Sequence, residues 1–199
     1  ACVSSHYHLD HSKYIPNALK LGIDVYTSSG TINHLKLKPH HCLKKIETME
    51  TIKAGNFKIM AFDTVHNIDG SQGYIISHPE IGKLLFLTDS SAIPYKFSGI
   101  NHFLVEANFD EDKLMENVEL GKIHSSLAER IKNDHLSIKA CSDLILANDL
   151  TVCKNIILCH LSQNNSQMHS FIKTIKQASG CMVDVALPGK VFDLSLNPY

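Results

Sequence analysis

SHYHLDHS, residues 5–12, carries three imidazoles and one carboxylate within six positions, at His6, His8, Asp10 and His11. The preceding residues, ACVSS, have the composition of the end of a buried strand, so the run lies where a strand gives way to a loop. In an extended backbone His6 and His8 point to the same side and can bind one cation, whereas Asp10 and His11 fall on the following turn. Imidazole and carboxylate suit zinc, manganese or iron at neutral pH, and such a run is roughly a sub-percent chance event.

Three more ligand-type residues follow apolar stretches further along the chain. His66 ends FKIMAFDTVH, Asp89 lies near the end of KLLFLTDSS, and His160 lies near the end of NIILCHLS. Each stretch is typical of a strand that is buried upstream, and α/β proteins collect reactive side chains at the carboxyl ends of such strands. The sequence therefore predicts that these three side chains join the run at residues 6–11.

Composition limits the architecture and the partners. A chain of 199 residues with 44% hydrophobic residues can bury one core, which predicts a single domain over residues 1–199. The net charge of −1 indicates no overall attraction to nucleic acid or anionic lipid. Arg130 is the single arginine, so we expect phosphate binding to depend on lysine, backbone amides and metal.

Cysteine usage and hydropathy bear on the compartment. The six cysteines are scattered without a CxxC pair, and several lie in apolar runs, which is typical of reduced core residues in a cytoplasmic protein. No apolar stretch reaches membrane-spanning length, so we expect neither a membrane-spanning segment nor a signal peptide.

Strand and helix patterns alternate without strict βαβ regularity, which predicts an α/β layered sandwich with mixed sheets. Strands are expected at residues 1–5, 23–29, 49–54, 57–66, 73–79, 83–91, 102–108, 155–162, 181–187 and 190–196. Helices are expected at residues 13–22, within 30–45 before a basic loop, across 110–132, from Ser137 to 148, and at 166–179 before Gly180.

The H-x-H-x-D-H run, followed by a strand-end histidine, a strand-end aspartate and a late histidine, resembles the metallo-β-lactamase superfamily. The resemblance implies an αββα sandwich and two divalent metal ions per chain, zinc or manganese, with iron also permitted. The implied ligands of the first ion are His6, His8 and His66; those of the second are Asp10, His11 and His160, with Asp89 bridging both. Two such ions lower the pKa of a shared water to near neutrality, and Asp10 would also orient that water.

Two H-L-S motifs narrow the resemblance. RIKNDHLSIKA with His135, ILCHLSQNN with His160, and VEANFDED with Glu106 and Asn108 resemble the YycJ (WalJ) subfamily, whose members are described as DNA exonucleases. The resemblance implies a dinuclear metal-dependent phosphodiesterase that acts on DNA. The alternatives are hydrolysis of RNA, of a cyclic nucleotide or of an acyl or β-lactam substrate, and a non-catalytic metal-binding module.

Substrate contacts are expected around the H-L-S motifs. His135 precedes a helix N-terminus, where free amides favour an anion, so we expect His135 and Ser137 to contact the scissile phosphate or protonate the leaving oxygen. Ser162 is a second candidate phosphate contact, and the four lysines of residues 36–45 are a candidate track for a nucleic-acid backbone. The alternatives are a capping histidine, a turn serine and a solvated charged loop.

The position of the metal motif differs from that of the superfamily. Metallo-β-lactamase domains place a strand-rich stretch of several dozen residues before the motif, whereas here the motif begins at residue 6. We therefore expect an N-terminally incomplete domain whose first sheet lacks strands. An unpaired edge of that kind invites self-association or a strand from a partner.

Overall fold

The computed structural model describes residues 1–197, which form two β-sheets with helices on their outer faces. The elements in chain order are β1 (Cys2–Val3), α1 (Leu9–Ser12), α2 (Ile15–Lys20), β2 (Val25–Thr27), α3 (Ser29–His34), β3 (Leu43–Lys45), β4 (Thr51–Ala54), β5 (Phe57–Asp63), β6 (Gln72–His78), β7 (Gly82–Leu87), β8 (His102–Glu106), α4 (Glu111–Glu119), α5 (Ser125–Asp134), α6 (Ile138–Leu146), β9 (Asn155–Cys159), α7 (Met168–Ser179) and β10 (Met182–Val185).

The larger sheet follows the order β10-β9-β8-β7-β6-β5-β4. Strands β4 to β7 pair antiparallel, whereas β7, β8, β9 and β10 pair parallel. Ile156, Ile157 and Leu158 of β9 are all buried, and since successive side chains point to opposite faces, this strand is covered on both faces. The carboxyl ends of β7, β8 and β9 therefore meet at one edge of the sheet.

The smaller sheet is parallel in the order β1-β2-β3 and packs on the larger one. Ile46, just after β3, and Val3 contact Ile59 and Tyr74 of the larger sheet in one apolar cluster. Tyr74 is fully buried, and its hydroxyl donates to the Ser4 carbonyl at 2.8 Å, which joins the two sheets just before the metal motif. Strand β1 has β2 as its one pairing partner within residues 1–197.

Helices cover the outer face of each sheet. Ile15 and Leu19 of α2 pack on Val25 of the smaller sheet, and α6 and α7 pack on the larger one. The predicted ends of two helices are confirmed: the Ser137 hydroxyl accepts from the Ala140 amide at the start of α6, and Gly180 (φ 69°) ends α7. The layers are thus helix, sheet, sheet and helix, and the predicted α/β sandwich with mixed sheets is confirmed.

Several predicted boundaries are wrong. Strand β5 ends at Asp63 and β7 ends at Leu87, so His66 and Asp89 lie in the loops beyond these strands. Residues 43–45, predicted as loop, form β3, because β2 offers a free edge that tertiary packing fills. Asp10 and His11 lie on α1, a single helical turn.

The last predicted strand, residues 190–196, is also wrong. Pro188 and Gly189 (φ 78°) redirect the chain after β10, and the segment makes no strand pairing within the described residues. Val191 stays 90% exposed, and Leu196 donates its amide to the Glu80 carbonyl. None of the helices within residues 1–197 has the length and apolarity that a membrane span requires.

Candidate metal centre

The seven side chains predicted as metal ligands come together beyond the carboxyl ends of β5, β7 and β9. They form two neighbouring groups, and within each group one ligand atom per residue lies within 4.8 Å of the others. The first group contains His6, His8, His66 and Asp89; the second contains Asp10, His11 and His160.

Local contacts hold the metal motif in place. His8 precedes the single turn α1, and the Ser12 hydroxyl donates to the Tyr7 carbonyl at 2.8 Å across that turn. The Tyr7 ring stacks on His34 of α3, with 3.5 Å between ring centroids. Tyr7 therefore packs away from the centre, while the histidines on either side of it contribute to the first group.

The first group has closely spaced imidazole nitrogens. His6 Nε2 lies 3.0 Å from His8 Nδ1, and His66 Nε2 lies 3.4 Å from the same atom. Ser5 Oγ lies 3.1 Å from His6 Nδ1, so Nε2 is the His6 atom that faces the group. Burial lowers the pKa of His6, and burial and the neighbouring His6 lower that of His66 to about 4, so both imidazoles are neutral and offer lone pairs.

The second group shares Asp89 with the first. His11 Nε2 lies 3.2 Å from Asp10 Oδ2 and 3.0 Å from Asp89 Oδ2. His160 Nε2 lies 3.9 Å from Asp10 Oδ2. Because Asp89 Oδ2 also lies 3.2 Å from His6 Nε2, one carboxylate oxygen stands between the two groups. The bridging role that the family resemblance implied for Asp89 stays a prediction.

Asp89 is ionised although its side chain is only 3% exposed. Burial alone would raise the pKa of this carboxyl, but contacts with the imidazoles of His11, His135 and His6 outweigh it and hold the pKa well below its usual range. Asp89 and His160 both have left-handed backbone (φ 50° and 54°). Such backbone costs a non-glycine residue about 1–3 kcal/mol, and it often marks functional sites.

The side chains present fit divalent cations. His11 Nε2, which faces Asp10 and Asp89, is buried and has no hydrogen-bond partner within residues 1–197. Asp89 is close enough to His11 to attract it, but not in hydrogen-bonding geometry, as expected if a cation belongs between them. Neutral imidazoles and ionised carboxylates are the ligand forms that zinc, manganese and iron require.

Glu106 lies directly behind the second group and is fully buried at the end of β8. Its Oε1 lies 2.8 Å from His135 Nδ1 and 2.8 Å from His160 Nδ1. Its Oε2 accepts from the backbone amides of Ser90 (3.2 Å) and Leu136 (3.3 Å). Glu106 therefore fixes the orientation of two imidazoles at once, as carboxylates commonly do behind metal ligands.

His135 stands beside the centre. Burial lowers the pKa of its imidazole, but hydrogen bonds with Asp89 and Glu106 outweigh burial and raise the pKa to about 10. Its Nδ1 lies 3.5 Å from Asp89 Oδ1 in addition to the contact with Glu106. These two carboxyl contacts therefore favour the protonated form of the His135 imidazole.

Asp134 lies behind the first group. Its side chain is 3% exposed, and its Oδ1 lies 3.9 Å from His66 Nδ1. Its Oδ2 accepts from Arg130 Nε at 3.2 Å. Arg130, Asp134 and His135 line a cavity of about 410 Å³ that opens on Asp10 and Asp89. A larger cavity of about 580 Å³ lies beside β1 and β5, away from these residues.

The two predicted substrate serines have structural contacts. Ser137 is 5% exposed, and its hydroxyl caps α6. The Ser162 hydroxyl accepts from the backbone amide and the side-chain amide of Asn165, both at 3.3 Å, which stabilises a turn. Neither serine lines the cavity at the centre. A phosphate contact by either serine stays a prediction.

Sequence reasoning predicted the seven side chains that cluster here, but not the neighbouring contacts of Glu106, Asp134 and Arg130. A signal for Glu106 was available, because it is a lone charge in the apolar run HFLVEA. Arg130 and Asp134 are spaced i, i+4 on a helix, which pairs them but does not reveal their neighbour His66. The single arginine, which composition gave no role, therefore borders the candidate centre.

A search of protein-family models gives no match, and neither does a search of curated proteins. Solved structures do match. The metallo-β-lactamase fold protein YhfI from Bacillus subtilis is 18% identical over 96% of this chain and 76% of its own, with a TM-score of 0.68. A diphosphatase of the PhnP family is 15% identical over 98% of this chain and 72% of its own, with a TM-score of 0.60. CmlA, a diiron β-hydroxylase from Streptomyces venezuelae, is 12% identical over 92% of this chain and 43% of its own, with a TM-score of 0.59. The predicted metallo-β-lactamase fold is confirmed.

Proposed function

We propose that this chain is a metal-dependent phosphodiesterase that holds two divalent ions, zinc or manganese, and digests DNA from an end. The observation that carries the proposal is the contact of His135 with Glu106 at 2.8 Å, beside the shared carboxylate Asp89. It adds a positioned proton donor to a cluster of metal-ligand side chains. Hydrolysis of a phosphodiester needs such a donor, because a sugar alkoxide is a poor leaving group.

The ligand side chains would hold the two ions as the family resemblance implies. His6, His8 and His66 would hold one ion, and Asp10, His11 and His160 the other, with Asp89 shared. When bound, two such ions supply Lewis acidity and make water a nucleophile near neutral pH. Asp10 is the most exposed of these groups, with 68% of its side chain accessible, so its carboxylate can also accept a proton from water that approaches through the cavity.

His135 acts on the departing oxygen. Its Nδ1 donates to the Glu106 carboxylate, so the proton available for transfer is at Nε2, on a ring that lines the cavity. Glu106 stabilises the charged imidazole and keeps the ring from rotating. The step moves one proton from His135 Nε2 to the leaving oxygen, and water replenishes it after product leaves.

DNA is proposed as the substrate on the basis of the two H-L-S motifs. Their resemblance to the YycJ (WalJ) subfamily extends to Glu106 and Asn108, which contact His135 and His160 in the structure. A diphosphatase of the PhnP family has the same fold, which supports a substrate that contains phosphate.

The test compares substrates in parallel. The protein is stripped of metal, reloaded with zinc or manganese, and incubated with 5′-phosphorylated linear duplex DNA, single-stranded RNA, a cyclic dinucleotide and nitrocefin. A His6→Ala/Asp89→Ala double variant is the blank, and an Asp143→Ala variant, on the exposed face of α6, is the matched control. Metal-dependent loss of DNA in the wild type and the control supports the proposal.

Other outcomes separate the alternatives. Turnover of RNA or the cyclic dinucleotide instead of DNA would support the phosphodiesterase activity but contradict DNA as the substrate and the resemblance to the YycJ (WalJ) subfamily. Turnover of nitrocefin alone rejects the phosphodiesterase. Two bound metals without turnover of any substrate indicates a non-catalytic metal-binding module.

A further inference from the structure

We infer that Arg130 forms a second phosphate subsite in the cavity, which binds a substrate phosphate next to the scissile one. The inference rests on the proposed phosphodiesterase function. Arg130 is the one arginine of the chain, on the last turns of α5, and its side chain is 67% exposed. It borders the cavity that Asp10 and His135 also line, so it faces the space that a substrate would occupy.

The guanidinium is held at one edge only. Arg130 Nε donates to Asp134 Oδ2 at 3.2 Å, and Asp134 is anchored in the protein with 3% of its side chain exposed. A guanidinium has five N–H donors in a planar fork, so this contact fixes the group and leaves its other donors free for a phosphate. Pre-organisation of this kind reduces the side-chain entropy that binding would otherwise cost.

Arg130 differs from the other residues that line the cavity in its permanent positive charge. The carboxylates of Asp10, Asp89 and Asp134 line the cavity, and Arg130 is its one permanently charged cation among the described lining residues. Lys132, two positions along the same helix, lies instead near Met115 Sδ (3.5 Å) and Glu129 (3.7 Å). Bidentate recognition of phosphate by arginine is stronger than that by a lysine point charge.

The ligand class follows from this arrangement. Because the proposed function puts the scissile phosphate at the metal ligands, we assign the anion at Arg130 to a different phosphate of the same substrate. Nucleotide chains carry such a neighbouring phosphate, and isolated phosphodiesters do not. The cavity volume of about 410 Å³ is in the usual range for a small-molecule site. The subsite would therefore select substrates that carry at least two phosphates.

A competing role exists for the same residue. Arg130 contacts Asp134, which contacts His66, so the arginine could act only by positioning a metal ligand. A positioning role would lower turnover of every substrate, whereas a subsite affects only substrates with a second phosphate. Substrates with one and two phosphates therefore separate the two roles.

The kinetic experiment uses the metal-loaded protein with bis(p-nitrophenyl) phosphate and with thymidine 5′-phosphate 3′-(p-nitrophenyl phosphate). For Arg130→Gln we expect KM to rise about 10- to 100-fold for the second substrate, the range expected for losing a charged hydrogen bond, and to stay unchanged for the first. Arg130→Lys should recover part of the loss. Lys132→Gln, which removes the same charge two residues away, should match the wild type.

Calorimetry provides a readout that does not depend on turnover. The metal-loaded wild type should bind thymidine 3′,5′-bisphosphate more tightly than thymidine 5′-monophosphate, and Arg130→Gln should abolish the difference. Equal loss on both kinetic substrates, or no loss on either, would overturn the subsite. If the wild type hydrolyses neither substrate, the proposed phosphodiesterase fails, and the calorimetric comparison still decides the subsite.

Discussion

The candidate centre has two layers that are built in different ways. The ligand layer comprises the predicted ligands His6, His8, Asp10, His11, His66, Asp89 and His160. The support layer comprises the residues behind them, Ser5, Glu106, Asn108 and Asp134. The ligand layer is gathered from one short run and from three loops that follow strands, whereas the support layer comes from the residue before that run, the end of β8 and the end of α5. The comparison shows that short sequence patterns identify the ligand residues, whereas the residues that orient them are identified only by the folded structure.

Asp89→Ala should have the largest effect, because Asp89 is the one carboxylate that both ligand groups share. We expect the variant to lose bound metal and to fall at least about 100-fold in activity, beyond the usual range for residues behind the ligands. Elemental analysis of the dialysed protein and hydrolysis rates measure this. Asp143→Ala, an exposed carboxylate on α6, is the control. Wild-type metal content in Asp89→Ala would remove Asp89 from the ligand layer.

Glu106→Gln tests the best-connected residue of the support layer. The amide keeps an acceptor but loses the charge that faces His135 and His160, so we expect activity to drop about 10- to 100-fold while metal remains bound. Loss of the Glu106 contact should lower the pKa of His135, so activity that needs its protonated form should be lost at a lower pH than in the wild type. A purely structural role would not produce this shift. An unchanged rate would show that the two layers are independent.

Asp134→Asn should have a smaller effect. The distance from Asp134 Oδ1 to His66 Nδ1 is 3.9 Å, longer than the 2.8 Å from Glu106 Oε1 to His135 Nδ1. We therefore expect about a tenfold loss of metal affinity, which is the smallest loss usual for residues behind metal ligands. Competition with a chromophoric chelator measures the affinity of the metal-stripped protein. A loss as large as that of Asp89→Ala would place Asp134 in the ligand layer.

Ser137→Ala should have the smallest effect on the centre. Its hydroxyl caps α6, so the free energy of unfolding should fall by about 1 kcal/mol while KM and kcat stay unchanged. Urea unfolding and steady-state kinetics on the same preparations measure both quantities. A raised KM with unchanged stability would instead support the predicted phosphate contact.

The parts of the molecule that sequence reasoning predicted share one property. The ligand run and the apolar strands around His66, Asp89 and His160 are short patterns that can be recognised within about ten residues. The sandwich followed from the alternation of such patterns. The contact of Glu106 with His160 joins the end of β8 to the residue that follows β9, and no local pattern specifies that these two strands pair.

Where local pattern and packing disagree, packing determines the outcome. The local sequence of the basic segment Leu43–Lys45 predicts a loop. The segment nevertheless forms β3, because it pairs with the open edge of β2. Residues 190–196 alternate like a strand, yet the turn at Pro188 carries them away from β10. The role of Arg130 was missed because its position depends on the packing of α5 against the loops after β5 and β7.

The centre also joins distant parts of the chain, since the turn α1 follows β1 of the smaller sheet and His160 follows β9 of the larger one. All residues from His6 to His160 must be synthesised before the late histidine can meet the early ones, so the ligand set depends on contacts between residues far apart in the sequence. A cation that binds there cross-links the two sheets, and mass action then raises stability with cation concentration. Cellular metal supply would thereby set how long each copy of the protein survives proteolysis.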